Sequence, residues 1–251
     1  IEDGKLIIKA IRQSYSGSDY TSARMVTKNK GDWTYGRIEV RAKLPAGTGT
    51  WPAIWMMPTD SEYGGWPDSG EIDIMEHVGF DPGAIHATAH NDTYNWYDGI
   101  PPPGGELNVN DFDENFHTYT LEWTESSLKW FVDETLYYTY SNTSSWSTWP
   151  YNYDFFIILN IAIGGTWGGQ QGIDDGIFPV QMEVEYVRVY QGDGGTDPES
   201  SEITFLVDMQ NEQIDESGVY VSGQDAQLAG PAGIFMSDSD NDNIWSVTIP
   251  L

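Results

Sequence analysis

Along residues 4–190, short runs of alternating apolar and polar positions are separated by Gly, Pro, Asn, Asp and Ser. The runs span 5–11, 36–44, 71–78, 85–90, 117–123, 128–140, 155–163 and 182–190. A period of two without any sustained 3.6-residue period predicts antiparallel strands, and strands this short and regularly spaced predict a two-sheet sandwich. The unbroken run Phe155-Phe156-Ile157-Ile158-Leu159 predicts a central strand covered on both faces. Composition agrees with an all-β reading, since 11 Trp, 15 Tyr, 9 Phe and 27 Gly suit strands and tight turns better than helices.

The alternation breaks at Gly192-Asp193-Gly194-Gly195-Thr196-Asp197-Pro198-Glu199-Ser200-Ser201-Glu202, a polar stretch rich in breakers that predicts a linker over 192–202. It divides a main domain, 1–191, from a second module, 203–251. Strands are expected there at 203–207, 218–222 and 244–249. The module has one Trp, promises only a small core and stops directly after a strand, so it is expected to be truncated.

Charge narrows the partners. Asp and Glu total 39 against 11 Lys and Arg, a net charge of −28. Such a field repels nucleic acid and anionic membranes, disfavours sulfated or uronate-bearing polysaccharides, and leaves neutral glycans unpenalised. The chain has no Cys, which removes disulfides and thiolate metal sites from consideration. It has no apolar run of 18 residues and begins at Ile1 without a leader-like segment, so any signal peptide is expected to have been removed or to lie outside this sequence.

The segment Gly70-Glu71-Ile72-Asp73-Ile74-Met75-Glu76-His77 carries the candidate chemistry. On a strand Glu71 and Asp73 share a face, and Glu76 joins them only if a β-bulge near Ile74-Met75 absorbs one residue. Counting that bulge out leaves roughly 13 Å between the two Glu Cα atoms. Side chains leaning inward would leave roughly 5 to 6 Å between carboxyl groups, nearer the retaining than the inverting glycosidase spacing. One carboxylate would attack an anomeric carbon while the other donates a proton to the leaving oxygen. Mutual repulsion would raise at least one pKa toward neutrality, and Asp73 could share a proton with Glu71. The alternatives are a solvated acidic strand or a calcium site, but like charges on one strand face destabilise it unless something uses them, and further oxygen ligands are not nearby.

Indoles flank the acids. Trp51 lies in Trp51-Pro52-Ala53-Ile54-Trp55 and Trp66 in Gly64-Gly65-Trp66-Pro67, where they would stack on the apolar faces of sugar rings. Trp55 has apolar neighbours and reads as a core residue. His86 and His90 share a strand face that would suit zinc, but no third ligand is evident. His90 is expected to hydrogen-bond a sugar hydroxyl or a catalytic carboxylate, and His77 and His117 read as structural.

Residues 4–190 resemble the family 16 glycoside hydrolases, in particular their laminarinase-like branch with its bulged Glu-x-Asp-x-x-Glu motif. Matching segments are 35–45 (Tyr-Gly-Arg-Ile-Glu-Val-Arg-Ala-Lys-Leu-Pro), 51–55, 71–76, His117-Thr118-Tyr119 with Glu122-Trp123, 160–165 (Asn-Ile-Ala-Ile-Gly-Gly) and 186–190 (Tyr-Val-Arg-Val-Tyr). The resemblance implies a jelly-roll β-sandwich with a concave glucan cleft, and a bacterial, secreted or cell-surface endo-β-1,3-glucanase that acts with retention as a monomer. It implies Glu71 as nucleophile, Asp73 as its assisting acid and Glu76 as acid/base, with Arg24, Trp51, Trp66, His90, Asn160 and Trp167 lining subsites. Many members hold a structural calcium, which here would fall to the Gly4 carbonyl and Glu185, where Asp is usual. No cofactor is implied for catalysis. The strand that usually precedes Asp3-Gly4-Lys5-Leu6 is absent, and the C-terminal piece looks like the start of an immunoglobulin-like carbohydrate-associated module. Mixed-linkage β-1,3-1,4-glucan is the alternative substrate, and a non-catalytic β-glucan-binding protein is the alternative outside enzymes. Agarases and carrageenases share the architecture, but the acidic balance argues against their charged substrates.

Overall fold

The computed structural model describes residues 1–191, 202–208, 220–221, 234–238 and 244–250. The chain divides into two units, Ile1–Val189 and Tyr190–Leu251. In the second, Glu202–Asp208 pairs antiparallel with Ile244–Pro250, and Tyr220–Val221 with Ile234–Phe235. The expected linker lies, apart from Glu202, outside the described residues, as does most of the strand expected at 218–222.

The first unit is the predicted antiparallel sandwich of two seven-stranded sheets. The back sheet contains β1 (Leu6–Tyr15), β2 (Ser18–Thr21), β5 (Gly36–Lys43), β10 (His117–Trp123), β11 (Ser127–Val132), β12 (Thr135–Ser141) and β14 (Val180–Tyr190), in the order β12-β11-β10-β5-β14-β1-β2. The front sheet contains β3 (Arg24–Val26), β4 (Asp32–Trp33), β6 (Thr50–Pro58), β7 (Glu71–Glu76), β8 (Ala84–His90), β9 (Gly104–Asn108) and β13 (Phe155–Ile163). Its order is β3-β13-β6-β7-β8-β9, with β4 also pairing β13.

Strand patterning explains the layers. On β5, Ile38, Val40 and Ala42 are buried while Arg37, Glu39 and Arg41 face outward. They join Tyr119, Leu121, Trp123, Trp130, Met182 and Val184 of the back sheet against Ile54, Met56, Ile72, Ile74, Ile85, Ile157 and Leu159 of the front sheet in one core. The run at Phe155 is buried without interruption through Ile161, as expected, although β13 lies near one edge of its sheet rather than at its middle.

Two elements differ from the sequence reading. The run 128–140 is a hairpin rather than one strand, because Asp133 takes a positive φ of 53° and turns β11 back into β12. Thr50–Pro58, which gave no strand signal because of Pro52 and Pro58, is a full strand paired to β13 along its whole length. Pro52 is tolerated there because the β6–β7 ladder has ended at Ala53↔Glu76. On a strand N and C=O point to the same side, so the Pro52 nitrogen faces that open end while its carbonyl accepts from His77 N at 3.3 Å.

Candidate active site

The front sheet carries the acids on β7, and its register is the first determinant of the site. On the β6 side Ile54 faces Met75 and Trp55 faces Asp73, while on the β8 side Asp73 faces Thr88 and Glu76 faces His86. Both ladders therefore skip one residue between Asp73 and Glu76, which is a β-bulge at Ile74–Met75. Ile74 and Met75 are both buried in the core, and the parity change brings Glu76 onto the outward face with Glu71 and Asp73. The bulge is braced from the back sheet, where Trp130 Nε1 donates to the Asp73 carbonyl at 2.9 Å.

Among the described residues no Lys or Arg pairs with these three acids; their neighbours are indoles and one imidazole. Trp66 Nε1 donates to Glu71 Oε2 at 2.7 Å, and Trp51 Nε1 donates to Glu76 Oε1 at 2.9 Å. His90 Nε2 lies 3.2 Å from Asp73 Oδ2 and 4.0 Å from Glu71 Oε1. Burial, followed by the charge of Asp73, pushes the Glu71 carboxyl up to about 8. Burial likewise pushes Asp73 well above the usual carboxylate range, with the charge of Glu76 adding to it. Glu76 is pushed up to about 7 by burial, against the pull of the Trp51 hydrogen bond.

Glu71 and Asp73 are both raised by burial and by the charge of a neighbouring acid, so near neutral pH the cluster retains a proton. The Trp66 N–H and His90 both favour charge on Glu71, whereas Asp73 is only 2% exposed and loses most by ionising. Burial thus leaves all three acids holding protons toward neutrality, with the Trp66 N–H and His90 easing the ionisation of Glu71 and Glu76 poised to gain or lose a proton there. Glu71, Asp73 and His90 also offer ligand atoms within 4.8 Å of one another, a group that could hold a cation. The Trp66 indole N–H engages Oε2 of Glu71, whereas Oε1 is the oxygen that faces His90.

The other expected site residues fall into three groups on the same face. At Glu71, Trp66 is half exposed and its ring meets that of His90 at 5.9 Å; His90 itself is buried against the acids. At Glu76, Trp51 meets Trp167 edge-on at 5.6 Å, and Trp167 in turn meets His86 at 5.0 Å. Toward the β3 edge, Arg24 and Asn160 come together around Trp55: the guanidinium sits 5.1 Å over the indole ring, and Trp55 Nε1 donates to Asn160 Oδ1 at 2.7 Å. Trp55 is therefore a cleft residue and not the core residue its apolar neighbours suggested. Parity with Trp51 along β6 is the signal that would have found it, had the strand been recognised.

Gly4 and Glu185, the residues expected for a structural calcium, belong to the other sheet and the turn that enters it. Gly4 precedes β1, and Glu185 follows Val184, the partner of Leu6. The Glu185 carboxylate is engaged by Arg41 Nε at 2.6 Å, and the neighbouring Glu183 binds Lys5 and Lys43, each at 3.1 Å. Both carboxylates are thus paired with protein cations. Among the described residues no group of three His, Asp or Glu ligands forms there.

Comparison with known proteins bears on this geometry. The family model described as glycosyl hydrolases family 16 matches residues 3–188. A beta-glucanase of Rhodothermus marinus is 52% identical over 196 residues, which cover 75% of this chain and 68% of that protein. The X-ray structure of the laminarinase from Rhodothermus marinus superposes with a TM-score of 0.74 at 52% identity, covering 76% of this chain and 79% of that one. A mutant of SCLam, a non-specific endo-β-1,3(4)-glucanase co-crystallized with 1,3-β-D-cellotriosyl-glucose, superposes with a TM-score of 0.73 at 44% identity and covers 76% of each chain.

Proposed function

The chain belongs to glycosyl hydrolases family 16 and is a glycoside hydrolase with the jelly-roll sandwich of its relatives; on that premise we propose that it hydrolyses β-1,3-glucan internally and with retention. The observation that carries this reading is the bulged β7, which sets Glu71 and Glu76 on one face, each held by an indole N–H. Ionised Glu71 attacks the anomeric carbon while Glu76 passes its proton to the departing glycosidic oxygen, leaving a glycosyl ester on Glu71. Glu76, now a base, removes a proton from water as the water attacks the same carbon and frees Glu71. Asp73 shares a proton with Glu71 and so holds that carboxylate in one orientation. Trp51, Trp66, Trp55 and Trp167 offer ring faces to glucose units, while Arg24 and Asn160 offer polar groups for hydroxyls. A polymer of this size is met outside the cell, so the enzyme acts as a secreted or cell-surface protein.

Mixed-linkage β-1,3-1,4-glucan is a second substrate reading, favoured by the likeness to a non-specific endo-β-1,3(4)-glucanase. Reducing-sugar release from laminarin, barley mixed-linkage glucan and cellulose, with Glu76→Gln as control, tests both. Laminarin cleavage that disappears in the variant is the expected result, and the barley rate fixes the specificity. A folded protein inactive on all three would remove the hydrolase reading in favour of glucan binding. Proton NMR of the first product anomer tests retention: initial β-anomer is expected, and initial α-anomer would exclude a Glu71 ester.

A further inference from the structure

The β6–β7 connection, residues 59–70, carries a second aromatic group that the chemistry at the acids does not use. Tyr63 stacks on Trp146 with ring centroids 5.5 Å apart and planes 18° apart, and meets Tyr153 edge-on at 5.4 Å. Trp146 is 47% exposed and Tyr153 39%. Tyr63 is held in place beneath them: its hydroxyl donates to Asn152 Oδ1 at 3.1 Å and its backbone N–H donates to Ser69 Oγ at 3.0 Å. The segment bearing Trp146 is tied to the loop after β8, where Thr93 N donates to the Ser147 carbonyl at 2.9 Å. A shallow groove beside Tyr153 is lined by Asp60, Glu62, Asn152 and Asp154.

We propose that Trp146 and Tyr153, braced by Tyr63, form a glucan-contact site outside the catalytic cleft, which stacks on glucose units of a polymer at a distance from the bond being cut. The proposal rests on the β-glucanase reading above. Three observations select a neutral glucan as occupant. Exposed aromatic rings packed on a hydrogen-bonded Tyr63 match the apolar faces of pyranose rings. The carboxylates and amide beside them accept hydrogen bonds from hydroxyls, and their charge repels anionic ligands. Continuity with the cleft is direct, because Tyr63 and Trp66 sit on one short connection and Trp66 donates to Glu71.

Such a site acts only on chains long enough to span both places. Trp146→Ala and Tyr153→Ala are therefore expected to raise KM on laminarin about three- to tenfold, with kcat and KM on laminaritetraose unchanged. In gels containing laminarin, the inactive Glu76→Gln chain should be retarded, and adding Trp146→Ala should release it. Trp146→Phe should restore most of the retardation, which a merely structural role would not predict from ring size alone. Equal losses on tetraose and polymer, or no loss on either, would overturn the proposal. The wild-type assay separates the two levels: laminarin left uncut removes the premise and the proposal together, whereas laminarin cut equally well by Trp146→Ala removes the second site alone.

Discussion

The two sheets alternate in the same way, yet their outward faces treat charge oppositely. On the back sheet each of these acids meets a cation: Arg37 bridges Glu39 and Glu122, both at 2.7 Å, Arg41 binds Glu185, and Lys5 and Lys43 converge on Glu183. Although burial would raise Glu183, those two ammonium groups bring it below the usual carboxylate range. On the front sheet Glu71, Asp73 and Glu76 have only indoles, His90 and one another, and all three are raised. A sheet face can stabilise acids by pairing them, or it can keep them reactive by withholding the partner. The difference between the two faces is what separates scaffold from catalyst here.

Removing an acid from the unpaired face gives the largest effects. Glu71→Gln is expected to lower kcat by on the order of 10⁴-fold or more, because no covalent route remains. Glu76→Gln should lose about 10²- to 10⁴-fold on laminarin, but far less on an aryl β-glucoside oligomer whose leaving group needs no proton. Steady-state rates on both substrates check this. If the aryl substrate rescues Glu71→Gln rather than Glu76→Gln, the two roles are reversed.

A smaller effect tests how the back sheet supports the bulge. Trp130→Phe keeps one aromatic ring but removes the indole N–H that bonds the buried Asp73 carbonyl and leaves a small cavity where the second ring was. An unsatisfied buried carbonyl costs about 1 to 3 kcal/mol, so thermal unfolding should move down by about 3 to 10 °C. An unchanged Tm would mean that the bulge does not need this brace.

The raised carboxyls also predict a pH signature. Folded Glu76 holds its proton up to about 7, whereas unfolded it releases it near 4.5, so between these values the folded state binds more protons. Stability contributed by the protonated form is full below 4.5 and is lost as pH rises toward 7. Glu76→Gln cannot ionise, so its Tm relative to wild type should climb through this window and level off above it, by about 2 to 6 °C. A flat difference across pH 4.5 to 8 would show that burial does not penalise the Glu76 charge.

Much of this contrast was legible in the chain because side-chain parity is a strict rule on strands. Glu71, Asp73 and Glu76 can share a face only through a one-residue bulge, and both neighbouring ladders show it at Ile74–Met75. Parity failed where a breaker hid the strand. Pro52 lies beyond the end of the β6–β7 ladder, which only the paired register reveals, so the sequence pattern hides β6 and gives Trp55 no face. The stacking of Tyr63 on Trp146 joins residues far apart in sequence, and no local pattern announces it.

The smallest expected effect sharpens the comparison from the paired side. Arg41 and Glu185 are each more than a third exposed, so Arg41→Gln should cost only about 0.2 to 1 kcal/mol, a loss that fades in high salt. The same position decides whether Glu185 belongs to the scaffold or to a metal site. If its carboxylate is committed to Arg41, neither millimolar calcium nor a chelator moves the wild-type Tm, because the guanidinium already supplies the positive charge. A rise of several degrees with calcium, abolished by Glu185→Gln, would mean that the ion displaces Arg41. The back sheet would then be stabilised by a metal, and its contrast with the cleft would lie in which cation is present rather than in whether one is.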